Sequence, residues 1–205
     1  YSAGSWTQLG ADIDGEAAGD YSGKSISLSS DGTTVAIGAE GNEGNGAYAG
    51  HVRIYEYSAG SWTQLGADID GVAAGDGLGM STSLSSDGTV LAIGAGYNRV
   101  NGDTVGQVRI YEYSSGSWTQ LGSDINGQTV GDNLGWSVSL SSDGTIVGIG
   151  ASNLWPGGNS SRGHAKVYSL VGNSTAATTN HAISLQACTG DIVTYSFDIT
   201  VPYNV

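Results

Sequence analysis

Three tryptophans recur at a fixed interval, and this interval limits the possible folds more than any other feature of the chain. Trp6, Trp62 and Trp118 are spaced 56 residues apart, and the residues around them are nearly the same in each copy. A repeat of this length is typical of a propeller, a solenoid or an array, in which each unit buries its apolar face against a neighbour. We therefore expect the three tryptophans to pack between units.

Each unit contains the pattern of four short strands, with a strand around the tryptophan first. The units span 1–56, 57–112 and 113–169. The chain has 35 glycines, which cluster between short apolar runs, where a β-rich chain needs turns. Asp31-Gly32 separates two alternating runs and predicts a hairpin with a primed turn. The pattern predicts an all-β fold of tandem four-stranded blades of a β-propeller.

Three blades are too few for a closed ring, since propellers close with about four to eight blades. Three arrangements stay open: further blades outside this chain, a ring completed by another copy, or an open array. Because the chain opens within its own period, we expect a processed product or a fragment of a longer array.

The tail, 171–205, departs from the period and predicts a short β segment. Two alternating runs flank Thr189-Gly190-Asp191 and read as two strands. The tail could supply the strand that the third unit lacks, or the Trp6 strand could close the circle from the other end. A third possibility is that the tail begins a separate β-domain or inserts into a neighbouring subunit.

The charge of the chain makes some classes of binding partner unfavourable. With 19 acidic and 6 basic residues, the net charge of −13 disfavours nucleic acid as a partner. No apolar run is long enough to span a membrane. Asn159 and Asn173 lie in glycosylation sequons within polar, loop-like stretches, and they predict a glycoprotein located outside the cell or on its surface.

The segment 75–95 reads GDGLGMSTSLSSDGTVLAIGA, and a Gly-Gln-Val-Arg-Ile-Tyr strand follows it at 106–111. It resembles the FG-GAP repeat of integrin alpha-subunit propellers, which runs from Phe-Gly through an Asp-Gly turn to Gly-Ala-Pro and a Gly-x-Val-x-x-Tyr strand. Leu78-Gly79 matches the start, and Gly94-Ala95 matches the end without its proline. The resemblance extends over the three repeats, is closest to long bacterial and algal variants, and implies an extracellular seven-bladed propeller used for binding.

The calcium loop of that family is not matched, because the first hairpin offers a single carboxylate and calcium takes six to eight oxygens. A different stretch places carboxylates at positions one, three, five and nine, a spacing that could hold calcium. Its carboxylates in the first two units are Asp12, Asp14, Glu16, Asp20, Asp68, Asp70 and Asp76. The competing interpretation is that these side chains cap polar turns. We predict no other cofactor.

No residue pattern predicts catalysis. His51 and His164 precede the last strand of units one and three, where unit two has Gln107. A position that accepts glutamine favours a hydrogen-bonding residue at a strand edge over a base or a metal ligand. We expect a protein that is not an enzyme.

The loops that differ most between units are the predicted binding surface, because recognition usually resides in loops that vary on a constant scaffold. The candidate contacts in these loops are Tyr48, Tyr97, Arg99 and Trp155. We expect a noncatalytic scaffold or adhesion protein that binds protein or glycan, or associates with itself, through loops and blade edges. The alternative is a calcium-dependent adhesion module.

Overall fold

The computed structural model describes residues 4–152 and 163–170, and the backbone of 183–186 and 192–195. The residues fall into two compact units, Tyr1–Leu170 and Val171–Val205. Every regular element within the described ranges is a strand. The predicted all-β class is therefore confirmed, and the strands form tandem antiparallel blades.

The first blade has the strand order β1-β2-β3-β4, with β5 paired to β3. The second repeats this order with β6, β7, β10 and β11, with β12 paired to β10, and the third comprises β13, β14 and β15. The strands are β1 Ser25–Leu28, β2 Thr34–Ala39, β3 His51–Ser58, β4 Ser61–Gln64, β5 Ile69–Asp70, β6 Ser81–Leu84, β7 Val90–Ala95, β8 Arg99–Val100, β9 Asp103–Thr104, β10 Gln107–Ser114, β11 Ser117–Gln120, β12 Ile125–Asn126, β13 Leu134–Leu140, β14 Ile146–Ala151, β15 His164–Ser169, β16 Ile183–Gln186 and β17 Ile192–Tyr195.

The tryptophan strand ends a blade instead of beginning one. β4 follows β3 after a two-residue turn, Ala59-Gly60, in which both residues have positive φ. A two-residue turn of this kind matches the twist of antiparallel strands and joins them tightly. The first and second blades are therefore each completed by the strand that opens the next sequence repeat, and the stretch around Trp6 forms no strand.

The Asp-Gly hairpins form, but their predicted two-residue primed turns are wrong. In the first blade a five-residue loop joins β1 to β2, and Gly32 has a positive φ whereas Asp31 does not. The Asp31 carboxylate accepts hydrogen bonds from the Ser29 hydroxyl at 2.7 Å and from the Thr33 amide at 3.0 Å. The aspartate therefore closes the loop through its side chain, which a primed turn does not need.

Apolar side chains fill the junctions between repeats. At the first junction Ile54 packs in one cluster with Leu91 and Ile93, and at the second Ile110 packs with Ile149. All of these side chains are buried. Each junction therefore joins one repeat to the next, as the repeat argument requires.

The tryptophans pack between repeats where a preceding repeat exists. Trp62 Nε1 donates a hydrogen bond to the Leu9 carbonyl, and Trp118 Nε1 donates one to the Leu65 carbonyl, both at 2.9 Å. Each ring also lies beside a tyrosine of its own hairpin. The prediction of packing between units is confirmed for these two residues.

The first strands of the blades, with the turns that follow them, form a surface that we call the serine edge: β1, β6 and β13 with residues 29–33, 85–89 and 141–145. Here the Ser25 hydroxyl donates to the Gly79 carbonyl and the Ser81 hydroxyl donates to the Gly135 carbonyl, both at 2.8 Å. The Leu140 amide donates to the hydroxyl of Ser83 at 2.9 Å. Serines therefore hold neighbouring repeats together.

Glycine is required where one repeat approaches the backbone of the next. A Cβ at Gly38 would overlap the carbonyl oxygen of Gly79, and a Cβ at Gly94 would overlap that of Gly135. Both carbonyls accept the serine hydrogen bonds of this edge. The Ile-Gly-Ala run of the first two blades therefore has a steric cause.

The tail contains the predicted pair of strands. β16 pairs antiparallel with β17, with Ile183 opposite Tyr195 and Gln186 opposite Ile192. None of the described residues forms a helix long and apolar enough to cross a membrane.

Candidate functional site

Three of the four predicted contact residues come together in one groove, which we call the loop groove. It has a volume of about 560 Å³ and lies between loops of successive repeats. Its lining residues are Ala47, Tyr48, Gly75, Tyr97, Arg99, Gly102, Asp103, Thr104, Val130, Gly131 and Asn133. Trp155, the fourth predicted contact, lies outside the described residues, as do the sequons at Asn159 and Asn173.

Tyr48 is held on one wall of the groove by its backbone. Its φ is +55°, a left-handed conformation that non-glycine residues seldom adopt. Its carbonyl accepts a hydrogen bond from the Gly77 amide at 3.0 Å, which ties the loop to the second repeat. The ring itself is exposed. The backbone therefore fixes a tyrosine ring toward solvent, where it can contact a partner.

Tyr97 and Arg99 supply the opposite wall from the second repeat. The Tyr97 ring meets the Trp136 ring edge to face, with centroids 6.0 Å apart. Arg99 opens the small hairpin β8–β9, whose Asn101-Gly102 turn has positive φ at both residues. This turn belongs to the loop that the sequence identified as variable, and its hairpin holds Arg99 in the lining of the groove.

In each of the two variable loops that line the groove, a buried asparagine supports the loop. Sequence analysis did not predict these asparagines. The Asn42 amide donates to Asp20 at 3.1 Å, and the Asn98 amide donates to Asp76 at 2.8 Å. The two asparagines lie one repeat apart, which is the signal that could have revealed them.

Asp20 and Asp76 cap the turns that precede them. Asp20 accepts a hydrogen bond from the Ala17 amide, and Asp76 accepts hydrogen bonds from the Val72 and Ala73 amides. The capping interpretation therefore describes these two carboxylates. Their engagement accounts for the ninth position of the predicted calcium stretch without an ion.

The other carboxylates of that stretch separate into different environments. Asp12 accepts a hydrogen bond from the Gln8 amide, and the Asp14 backbone carbonyl accepts one from the Arg53 guanidinium. Asp70 lies opposite His51 in the pairing of β5 with β3. Burial and the nearby charge of Asp68 raise the pKa of Asp70. Calcium binding by the stretch stays a prediction.

Glu16 and Asp68 instead converge on His51 at the first junction. The His51 Nδ1 atom lies 3.8 Å from Glu16 Oε2 and 3.8 Å from Asp68 Oδ2. Of the His, Cys, Asp and Glu residues in the described ranges, these form the one group of three whose donor atoms all lie within 4.8 Å of one another. The set combines two loops with a buried strand residue, so it could not be read from spacing along the chain.

The equivalent residues at the second junction are joined directly by hydrogen bonds. Gln107 Nε2 donates to Asp124 Oδ2 at 3.0 Å and to Asn126 Oδ1 at 2.9 Å. Arg109 Nε lies 3.3 Å from Asp124 Oδ1. Gln107 therefore has the hydrogen-bonding role expected at the first position of this strand. His51, at the same position of the first repeat, faces the carboxylates of Glu16 and Asp68 instead.

No protein-family model and no curated protein matches the chain. Among solved structures it is similar to hydrazine synthase of Kuenenia stuttgartiensis, at 13% identity over 70% of this chain and 32% of that one, with a TM-score of 0.40. A putative 6-phosphogluconolactonase of Bacteroides uniformis gives 18% identity, 60% and 31% coverage and a TM-score of 0.39.

A third similar structure is a periplasmic gluconolactonase of Pseudomonas aeruginosa, with 13% identity, 84% and 65% coverage and a TM-score of 0.35. The chain therefore spans about a third of the length of the first two structures and less than two thirds of the third. TM-scores below 0.5 carry no argument about activity. The expected absence of catalysis stays a prediction.

Proposed function

We propose that this protein is a noncatalytic extracellular scaffold that assembles head to tail through its two end faces and binds protein or glycan through the loop groove. The observation that carries the proposal is a difference in exposure. Apolar positions that are buried at the junctions between repeats are exposed on the first and third blades. The resemblance to FG-GAP repeats supports the extracellular, adhesive setting.

The leading face is the side of the first blade that carries Ile26 and Leu28. Leu28 is 55% exposed, whereas Leu84, its equivalent in the second blade, is 7% exposed. Leu84 belongs to the cluster in which Ile54 of the preceding repeat also packs. A preceding blade would bury Leu28 in the same way, so this face has the chemistry of an interface.

The trailing face is the side of the third blade that carries Val167. Val167 is 73% exposed, whereas Ile110, its equivalent in the second blade, is 3% exposed because it packs against the third blade. The two end faces thus carry the two halves of the contact that joins repeats within the chain. A second copy of this chain supplies the matching half for each face.

An interface of this kind is heterologous, since each copy contributes a different surface. Such contacts generate rings when the rotation closes and filaments when it does not. A ring would complete the row of blades and a filament would extend it, and both would be built from copies of this chain alone.

The test measures native mass in a dilution series with variants that block one face each. We expect the mass of the wild type to rise with concentration. Val167→Asp and Ile26→Asp each place a charge in an apolar contact, so each variant alone should remain a monomer. A mixture of the two should form dimers and nothing larger, because one intact face of each kind remains.

Val72→Asp is the matched control, since Val72 is also an exposed apolar residue but lies away from both faces. It should assemble as the wild type does. A wild type that stays monomeric at every concentration overturns the assembly proposal, and so does a single-face variant that still dimerises.

The loop groove is tested separately with a panel of immobilised mono- and oligosaccharides and with purified candidate surface proteins. We expect retention of at least one probe, and we expect Tyr48→Ala together with Tyr97→Ala to abolish it, because aromatic side chains dominate binding energy at such contacts. Tyr21→Ala is the control, since Tyr21 is exposed but does not line the groove. Retention that is unchanged in the double variant excludes the groove as the binding surface.

A further inference from the structure

His51 is a buried histidine that faces two carboxylates without reaching hydrogen-bond distance. Its side chain is 2% exposed, and Nδ1 lies 3.8 Å from one oxygen of Glu16 and 3.8 Å from one oxygen of Asp68. Hydrogen bonds between nitrogen and oxygen span about 2.7 to 3.2 Å. The spacing therefore leaves room for an ion among three side chains that can each supply one ligand atom.

Each carboxylate presents one oxygen to His51 while a neighbouring group holds the other. Arg53 Nη1 lies 3.7 Å from Glu16 Oε1, and the Gln64 side-chain amide donates to Asp68 Oδ1. The remaining oxygens, Oε2 and Oδ2, are the ones that face Nδ1. Outer partners that orient the ligands in this way are the usual companions of a metal site.

We propose that Glu16, His51 and Asp68 bind a divalent transition-metal ion of the Zn²⁺ class at the junction of the first two repeats. Bonds of about 2.0 to 2.2 Å from zinc to nitrogen or oxygen place neighbouring donors roughly 3.3 Å apart in a tetrahedron. The observed 3.8 Å separations close to that value with shifts of about half an ångström. The Asn42 amide, which lies 3.4 Å from Glu16 Oε2, forms a long contact that the ion replaces.

The donor set selects the class of ion. One imidazole nitrogen with two carboxylates suits zinc and its neighbours in the transition series. Calcium prefers six to eight oxygen ligands and makes no use of the histidine. The site therefore differs in chemistry from the calcium stretch expected from spacing, although it shares Glu16 and Asp68 with that stretch. It is independent of the proposed assembly and binding.

The second junction provides an internal control because its backbone is equivalent. Val72 stands in place of Glu16 and Gln107 in place of His51, while Asp124 retains the position of Asp68. Gln107 there satisfies Asp124 directly by hydrogen bonding. Two of three donors are thus absent, and we expect one bound ion per chain.

The experiment titrates the full chain with Zn²⁺ by calorimetry and with Co²⁺ by visible absorption. We expect a stoichiometry of one, a Co²⁺ spectrum with tetrahedral character, and a rise in the thermal midpoint of roughly 5 to 10 °C at a hundredfold excess of Zn²⁺ over its dissociation constant. Calcium at the same concentrations should leave the Co²⁺ spectrum unchanged.

Glu16→Val and His51→Gln copy the second junction and should each weaken Zn²⁺ binding at least about tenfold, since even outer partners of ligands change affinity by about 10- to 100-fold. Glu16 is half-exposed, so the first variant tests the site even where the second fails to fold. Asp12→Asn is the control, because Asp12 contacts Gln8 and not the site.

The converse variant, Val72→Glu with Gln107→His, should raise the stoichiometry from one to two. Absence of Zn²⁺ binding by the wild type overturns the proposal. Equal binding by Glu16→Val and the wild type also overturns it.

Discussion

The serine edge and the loop groove belong to the same blades but differ in what the repeats share. At the serine edge the Ser-x-Ser-Leu-Ser-Ser-Asp-Gly-Thr pattern recurs in every repeat. Backbone contacts of this edge with a strand of the preceding repeat leave no space for a side chain, as between Gly135 of β13 and Gly94 of β7. The loops that line the groove differ in residue type and expose tyrosines. The amino-acid sequence is thus constrained where repeats pack against each other, and it varies in the loops that are exposed to solvent.

The largest effect that this difference predicts is at Gly94. Gly94→Ala should lower the free energy of unfolding by about 3 kcal/mol or more, because the methyl group would overlap the Gly135 carbonyl. Gly148→Ala is the control: its Cβ would meet its nearest atom, the Ser139 carbonyl oxygen, at 3.8 Å. That variant should be neutral or more stable by about 0.4 to 1 kcal/mol. Urea unfolding measures both, and equal destabilisation would contradict the steric account.

A smaller effect is expected when a serine of the edge is removed. Ser83→Ala deletes the hydroxyl that accepts a hydrogen bond from the Leu140 amide, and should cost about 1 kcal/mol. Ser139→Ala alters the equivalent position of the third blade, where the side chain is exposed, and should cost little. Chemical unfolding of the two variants separates the outcomes, and matched values would show that the serine does not hold the repeats together.

The loop groove should tolerate substitution without loss of stability. Tyr48→Ala removes an exposed ring that lines the groove and should change the free energy of unfolding by no more than about 0.5 kcal/mol. Thermal unfolding checks this value. A loss as large as that of Gly94→Ala would remove the contrast between the two regions.

The smallest effect is electrostatic and lies at the turn of the serine edge. Hydrogen bonds from Ser29 and Thr33 lower the pKa of Asp31 from 3.8 to about 2. Because the folded pKa is depressed, the stabilisation is present above the unfolded value and is lost as the pH falls from about 4 toward 2. A carboxyl NMR titration should place the Asp31 midpoint near 2, and Ser29→Ala should return it toward 3.8. A midpoint near 3.8 in the wild type would contradict this account.

Sequence reasoning identified the elements of the blades better than their boundaries. The alternation around Ser25–Leu28 and Thr34–Ala39 predicted strands that form. The assignment of the tryptophan strand to the start of a blade was wrong, because a tight Ala59-Gly60 turn pairs it with the strand before it. The local alternation of residues identifies a strand. The neighbour with which that strand pairs depends on which other strand lies alongside it in the fold.

The residues of the candidate site also divide into those that the sequence predicted and those that it did not. Variation between repeats identified Tyr48, Tyr97 and Arg99, and the structure brings them to one groove. The cluster around His51 was missed, because glutamine at the equivalent position favoured a plain hydrogen-bonding role. Its three residues are far apart in the chain and meet only in the folded protein. Their spacing along the sequence therefore does not indicate a cluster.

The amino-acid sequence by itself determined the repeat, the all-β class and the tryptophan positions that pack between copies, because each of these follows from local alternation and from repetition of the same residues. Tertiary structure alone decided that a blade takes its last strand from the following repeat, and that Glu16 and Asp68 meet a buried histidine. Packing places these side chains together only after blades stack, and stacking depends on surfaces that no single stretch of chain contains.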